Sequence, residues 1–243
     1  MPPDPQTPRR AGPFPAAALA LAAGGCAGEL STLDPAGPAA ASIARLWWVM
    51  FAGSLVLFAL VMGLFLLVLY RPGFGAGVSQ KRWIVAGGLM LPIPVLALLT
   101  YYALFQGERL ISFASAGEPV RIEARARMWE WEFRYPDRPD AAPTVGVMHI
   151  PAGRPVEVTA TSDDVIHGFW VPRLAGKVDA TPGHAARLKL MADRPGSYGG
   201  VCAEFCGTGH TGMFFTVRAH AAEDYDAAFA PPAAPDAQPQ APR

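Results

Sequence analysis

A two-helix membrane hairpin followed by an all-β Greek-key barrel is the fold class this sequence predicts, and three observations predict it. Two uncharged apolar runs, residues 46–70 and 83–107, are each long enough to cross a bilayer, which takes about 20 residues at 1.5 Å apiece. From Pro119 onward, apolar and polar residues alternate with a period of two, the pattern of half-buried strands. Composition agrees: 51% of the chain is hydrophobic and only 16% is charged, a balance that leans towards membrane proteins. At 243 residues there is room for an anchor and one domain of ordinary size. A net charge of zero gives no general attraction for nucleic acid, and there is neither an internal repeat nor a glycine loop built for phosphate.

Residues 1–25 read as a targeting segment. Arg9 and Arg10 precede an apolar stretch, Phe14 to Ala23, that is too short to span a bilayer. Small residues then lead into Cys26, which resembles a bacterial lipoprotein processing site; Cys26 would become a lipid anchor. Residues 26–45, rich in Ala, Pro, Gly and Ser, read as a loose linker.

The hairpin occupies 46–107. Neither run leaves a polar face, as a soluble core helix of that length would. Pro92 and Pro94 predict a kink in the second helix, tolerated where neighbours satisfy the freed carbonyls. The loop at 71–82 holds Arg71, Lys81 and Arg82 and no acid, which assigns it to the cytoplasm and both ends of the hairpin to the outside. Trp47, Trp48, Tyr70, Tyr101 and Tyr102 fall near the run ends, as aromatic belts do.

Residues 108–221 form the predicted β domain. Val120, Ile122, Ala124 and Ala126 alternate with Arg121, Glu123, Arg125 and Arg127; Val156, Val158 and Ala160 alternate with Glu157, Thr159 and Thr161; Leu188 and Leu190 alternate with Arg187 and Lys189. Val145, Val147 and Met213 to Val217 supply further runs. Gly and Pro punctuate them, as in a sandwich or barrel of short strands. Residues 222–243, rich in Ala and Pro, read as a disordered tail.

The chemistry concentrates between Cys202 and Met213. Cys202, Cys206, His210 and Met213 place two thiols, an imidazole and a thioether within twelve residues. Zinc gains little from a thioether, whereas copper electron-transfer sites use all three donor types. A second imidazole, His167, lies upstream. Two thiolates and two imidazoles exceed what one copper needs, so both sulfurs could bridge two ions with one histidine on each. The alternatives are a Cys202–Cys206 disulfide outside the cytoplasm, a surface His210 and a core Met213. No Cys-x-x-Cys-His is present to carry a c-type haem.

This stretch resembles subunit II of haem-copper cytochrome c oxidases, filling every fixed position of Cys-x-Glu-x-Cys-x-x-x-His-x-x-Met. The resemblance runs from the first membrane segment to about residue 218. It implies a cupredoxin-like barrel and a dinuclear copper (CuA) centre of two copper ions. By resemblance Cys202 and Cys206 bridge the ions, His167 and Met213 complete one, and His210 with the backbone carbonyl of Glu204 completes the other. The Glu204 side chain would help hold a Mg or Mn ion at the junction with subunit I, and Asp179 would lie near that interface. Trp129, in Met128-Trp129-Glu130-Trp131, matches the residue through which electrons arrive from cytochrome c, while Trp131 reads as core. Glu130, Glu132, Asp137, Asp140, Asp163 and Asp164 could form an acidic docking face. Two departures stand out: Met128 and Glu130 replace the usual Gln and Tyr, and Ser79 to Trp83 lacks the acid often found at the mouth of a proton path.

The implied activity is electron relay within a terminal oxidase of the bacterial inner membrane, from cytochrome c to haem in subunit I, which reduces oxygen to water. Subunit I, subunit III, cytochrome c and membrane lipid are the implied partners. Three other readings share features: the copper subunit of a nitric oxide reductase, a membrane-anchored copper-delivery factor of thioredoxin-like fold, and a quinol oxidase subunit, whose relatives lack the copper ligands.

Overall fold

The computed structural model describes residues 25–111 and 117–229. The targeting segment up to residue 24 and the tail from 230 lie outside the described residues. Cys26 lies within them, exposed and free.

Two helices pass the length and composition test for crossing a membrane. The first, α1, spans Pro38–Tyr70 with Pro at its start, where a missing N–H costs nothing and φ is already helical. The second begins as α2 (Gln80–Val85), widens through a π-helical turn at Ala86–Met90 and continues as α3 (Pro92–Ile111). The Leu91 N–H reaches back five residues to Ala86 O at 3.0 Å. Pro92 accounts for the widening, because its ring crowds the carbonyl four residues before it and it has no N–H to continue the ladder. Val56, Phe58, Leu96 and Leu98 stand exposed along these helices. An apolar surface of this extent calls for lipid or a partner helix.

The stretch expected to be a loose linker differs. α1 starts well before the apolar run, and Ala36, Ala39, Ala40 and Ala44 are buried against the β domain. The Ala36 N–H donates to Arg173 O at 2.7 Å, Ala40 N–H to Leu174 O at 3.2 Å and Asp193 N–H to Ala36 O at 2.9 Å. Arg173 pairs with Asp34 at 2.8 Å. A Cβ on Gly37 would sit 2.1 Å from Met191 O. Small residues let two backbones approach, so a composition that resembles a linker here makes a tight joint.

The β domain is two five-stranded sheets packed face to face. Sheet one runs β3 (Thr144–Val145), β2 (Glu130–Arg134), β1 (Val120–Arg127), β5 (Val156–Ser162), β8 (Ala186–Leu190). Sheet two runs β4 (Val147–Pro151), β10 (Phe214–His220), β9 (Gly196–Cys202), β6 (His167–Trp170), β7 (Lys177–Ala180). β1 pairs parallel to β5 and β10 parallel to β4; the other pairs are antiparallel. Alternation sets the faces: Val120, Ile122, Ala124 and Ala126 point inward while the arginines between them point out. Trp131, Phe133, Phe169 and Phe215 form an aromatic core, with Phe169 and Phe215 stacked at 4.9 Å. An all-β domain behind two membrane helices does not match the thioredoxin-like delivery factor.

Residues 222–229, expected to belong to a disordered tail, instead pack on the barrel. Tyr225 is buried, and Phe229 meets the rings of Tyr135 and His149. Beside them His149 Nδ1 and His220 Nε2 share a proton across 2.8 Å. Burial, reinforced by Arg218, holds both imidazoles below their ordinary range, and the two rings also oppose each other's charge at His149.

An unfolded chain therefore binds more protons than the folded one below the ordinary histidine pKa of about 6.5, so this pair's contribution is complete above that pH and declines below it. Thermal unfolding in detergent is expected at progressively lower temperature as pH falls from 7.5 to 5.5. His149→Asn should flatten that slope; an unchanged slope would remove the pair from the account.

Candidate metal centre

The end of the barrel where β9 leaves and β10 begins gathers the sequence-singled residues. β6 pairs with β9 so that Phe169 faces Cys202. Ala203 N–H then donates to Gly168 O at 2.8 Å. Only glycine fits at 168, since a Cβ would lie 2.9 Å from both Ala203 C and Glu204 N. This approach sets His167 beside Cys202. The loop closes when Cys202 N–H donates to Met213 O at 3.0 Å, with a 3-10 turn at His210–Gly212 between.

Cys202, Cys206, Met213 and His167 are all buried, and His210 is half-buried. His167, Cys202 and Cys206 offer ligand atoms within 4.8 Å of one another. The two sulfurs are 3.8 Å apart and unlinked. His167 Nδ1 lies 3.8 Å from Cys202 Sγ, and His210 Nδ1 lies 3.6 Å from Cys206 Sγ. Met213 Sδ is 3.8 Å from Cys206 Sγ, and Glu204 O is 3.2 Å from Cys202 Sγ. Burial first, then the neighbouring Cys202, pushes the Cys206 thiol up to about 11. A buried thiol shifted this way is costly to ionise unless a cation takes the proton's place.

The donor set fits a soft metal. The sulfur separation is shorter than two metal–sulfur bonds of about 2.3 Å laid end to end, so one ion can touch both. Thiolate, imidazole and thioether donors are those copper prefers.

Asp164, expected as part of a docking face, has contacts the sequence does not reveal: its Oδ1 accepts from His167 Nε2 at 2.8 Å and its Oδ2 from Met128 N–H at 2.7 Å. Burial opposes its charge, yet the bonds from His167, Met128 N–H and Val165 N–H hold the carboxyl down to about 2. The bond at Nε2 fixes the ring so that Nδ1 faces the sulfurs, as a carboxylate commonly does behind a metal-binding histidine. Four of the other five acids are compensated by neighbours: Asp137 by Arg121, Asp163 by Arg125, Glu130 by Arg127 and Glu132 by Arg134. Pairing of β1 with β2 sets Arg127 opposite Glu130, and pairing of β1 with β5 brings Arg125 near Asp163 just beyond β5.

Trp131 is fully buried, and Trp129 is 42% exposed. Trp129 Nε1–H donates to Cys206 O at 3.0 Å. Its ring lies on the loop where Gly209 makes room, as a Cβ there would fall 2.3 Å from the indole. Met128, Val165, Ile166 and Phe205 stand exposed around the same loop. The Glu204 carboxylate is half-exposed, 3.4 Å from Lys177, which also holds Asp179 at 2.8 Å.

The region 144–220 matches the family model of the periplasmic domain of cytochrome c oxidase subunit II. Quinol oxidase subunit 2 of Bacillus cereus is 33% identical over 220 residues, covering 86% of this chain and 75% of that protein. Cytochrome c oxidase subunit 2 of Alkalihalophilus pseudofirmus is 31% identical over 228 residues, covering 88% and 66%. Among solved structures, the periplasmic domain of subunit II of cytochrome oxidase from Bradyrhizobium japonicum overlaps 47% of this chain and 99% of its own at a TM-score of 0.42 and 25% identity.

Asp164→Ala is expected to weaken copper uptake about 10–100-fold, the usual cost of removing a partner that orients a ligating histidine, while leaving the β spectrum unchanged. Titration of the detergent-solubilised chain with copper against a competing chelator measures it. Unaltered affinity would show that His167 needs no such support.

Proposed function

This chain belongs to the subunit II family of haem-copper terminal oxidases, and from that membership we propose that it is the electron-input subunit of a cytochrome c oxidase in a bacterial inner membrane. The single observation that carries the reading is the convergence of two buried thiols, two imidazoles and a thioether at one end of the barrel.

Cys202 and Cys206 would bridge two copper ions, His167 with Met213 would complete one, and His210 with Glu204 O the other. When bound, the copper pair supplies a one-electron store between cytochrome c and haem in subunit I. The chain's own residues do the rest. The buried sulfurs keep water from the centre, Asp164 holds His167 in one tautomer, and the rigid barrel holds the donors in one arrangement across both redox states. Trp129 is the proposed point where electrons arrive, exposed on one side and hydrogen-bonded to the Cys206 carbonyl on the other. Because the acids nearby are largely neutralised by arginines, the apolar residues around Trp129 are the part of this surface best suited to meet cytochrome c. A Mg or Mn ion held through Glu204 at the subunit I junction would require Lys177 to leave that carboxylate. Subunit III and a cytoplasmic hairpin loop complete the assembly we expect.

A quinol donor is the second reading, favoured by the quinol oxidase relatives. The two part at the donor set: copper ligands are of use only if the electron arrives at the barrel.

Oxygen uptake by the assembled oxidase distinguishes them. Reduced cytochrome c is expected to sustain turnover, Cys206→Ser to abolish it, and Trp129→Ala to remove most of it at unchanged copper content. Turnover with a reduced short-chain quinol that persists in Cys206→Ser would favour the quinol reading.

A further inference from the structure

We propose that the joint between the barrel and α1 binds the phosphate headgroup of an anionic phospholipid. A cavity of about 340 Å³ opens there. Ala39 and Ile43 of α1 form one wall, Arg187 and Lys189 of β8 another, with Glu157 beside them.

Its height in the chain matches the headgroup layer. The lipid-facing run begins at Leu46, and Trp47 and Trp48 are exposed at its start. Ile43 stands one helical turn above Trp47, about 6 Å at 1.5 Å per residue. The headgroup region adds roughly 5–8 Å beyond the hydrocarbon on each side. α1 cannot slide relative to the barrel, because Ala36 and Ala40 are hydrogen-bonded to it and Gly37 leaves no space beside Met191. The cavity is therefore fixed at that height.

Its charge matches a phosphate. Four exposed arginines elsewhere on this sheet each hold an acid at 2.5–2.7 Å. Arg187 differs: it is 71% exposed, and Glu157 is 3.7 Å away, a contact worth little in water. Lys189 makes no ion pair among the described residues. Two cations face a single acid, on one face of one strand, since β8 alternates and Leu190 between sheets is buried. An arginine fork accepts phosphate oxygens in pairs, and cations near a membrane surface favour anionic lipid. Ala39 and Ile43 would cover the glycerol and the first methylenes, which a free anion lacks.

The test uses the full chain in a nonionic detergent, offered equal amounts of phosphatidylglycerol and phosphatidylcholine with the same acyl chains, and read by native mass spectrometry. One phosphatidylglycerol per chain is expected to be retained in preference to phosphatidylcholine. R187Q/K189Q should lower that retention about 25-fold, roughly fivefold per cation, and R134Q/R218Q, with the same loss of charge, should not. Circular dichroism of both variants checks the fold. Millimolar inorganic phosphate should fail to displace the lipid. Equal retention of both lipids, unchanged retention in R187Q/K189Q, or displacement by inorganic phosphate would each overturn the proposal. So would loss of subunit I from the purified oxidase carrying R187Q/K189Q, with lipid retention by the variant chain intact, which would make the cavity a protein contact.

Discussion

The backbone contact at Gly168 is the constraint on which the metal end of the barrel depends. Two strands must come close enough there that no side chain fits between them. That approach makes Phe169 pair with Cys202, brings Ala203 N–H onto Gly168 O, and sets His167 beside the first sulfur. The Cys202–Met213 backbone bond then folds the loop back so that the second sulfur, His210 and Met213 meet the first pair. Asp164 extends the same arrangement outward, joining His167 to the backbone beside Trp129. A chain of short contacts thus runs from the exposed indole to the buried sulfurs.

The barrel is also tied to its membrane anchor. Residues 34–44 are packed and hydrogen-bonded to the domain, so α1 and the barrel move as one body at this joint. For the electron-input role proposed above, a rigid joint would fix the distance between the cysteine end of the barrel and the bilayer. Flexible tethering would leave that distance to fluctuate.

Much of this was legible in the sequence. Period-two alternation identified the inward residues of β1 and β5 because sheet faces follow side-chain direction directly. The two apolar runs identified the membrane helices because lipid tolerates no polar face. What sequence hid were features set by pairing across the fold. Arg121, Arg125, Arg127 and Arg134 lie near the acids in space, which changes an apparently acidic face into a compensated one. Ala36, Gly37, Ala39 and Ala40 have the composition of a linker, and the same smallness lets them pack. Asp164 looked like a surface charge because nothing local reveals that His167 turns back onto it. Tyr225 and Phe229 lie in a Pro- and Ala-rich segment whose composition outweighed two aromatic anchors.

The central claim is that two copper ions share the buried thiolates. Loading the full chain with copper in detergent, counting metal per chain and recording the electron paramagnetic resonance spectrum of the oxidised form tests it most directly. Two coppers per chain sharing one unpaired electron is the result this account requires. One copper with an ordinary mononuclear signal, or no copper and a Cys202–Cys206 disulfide, would contradict it.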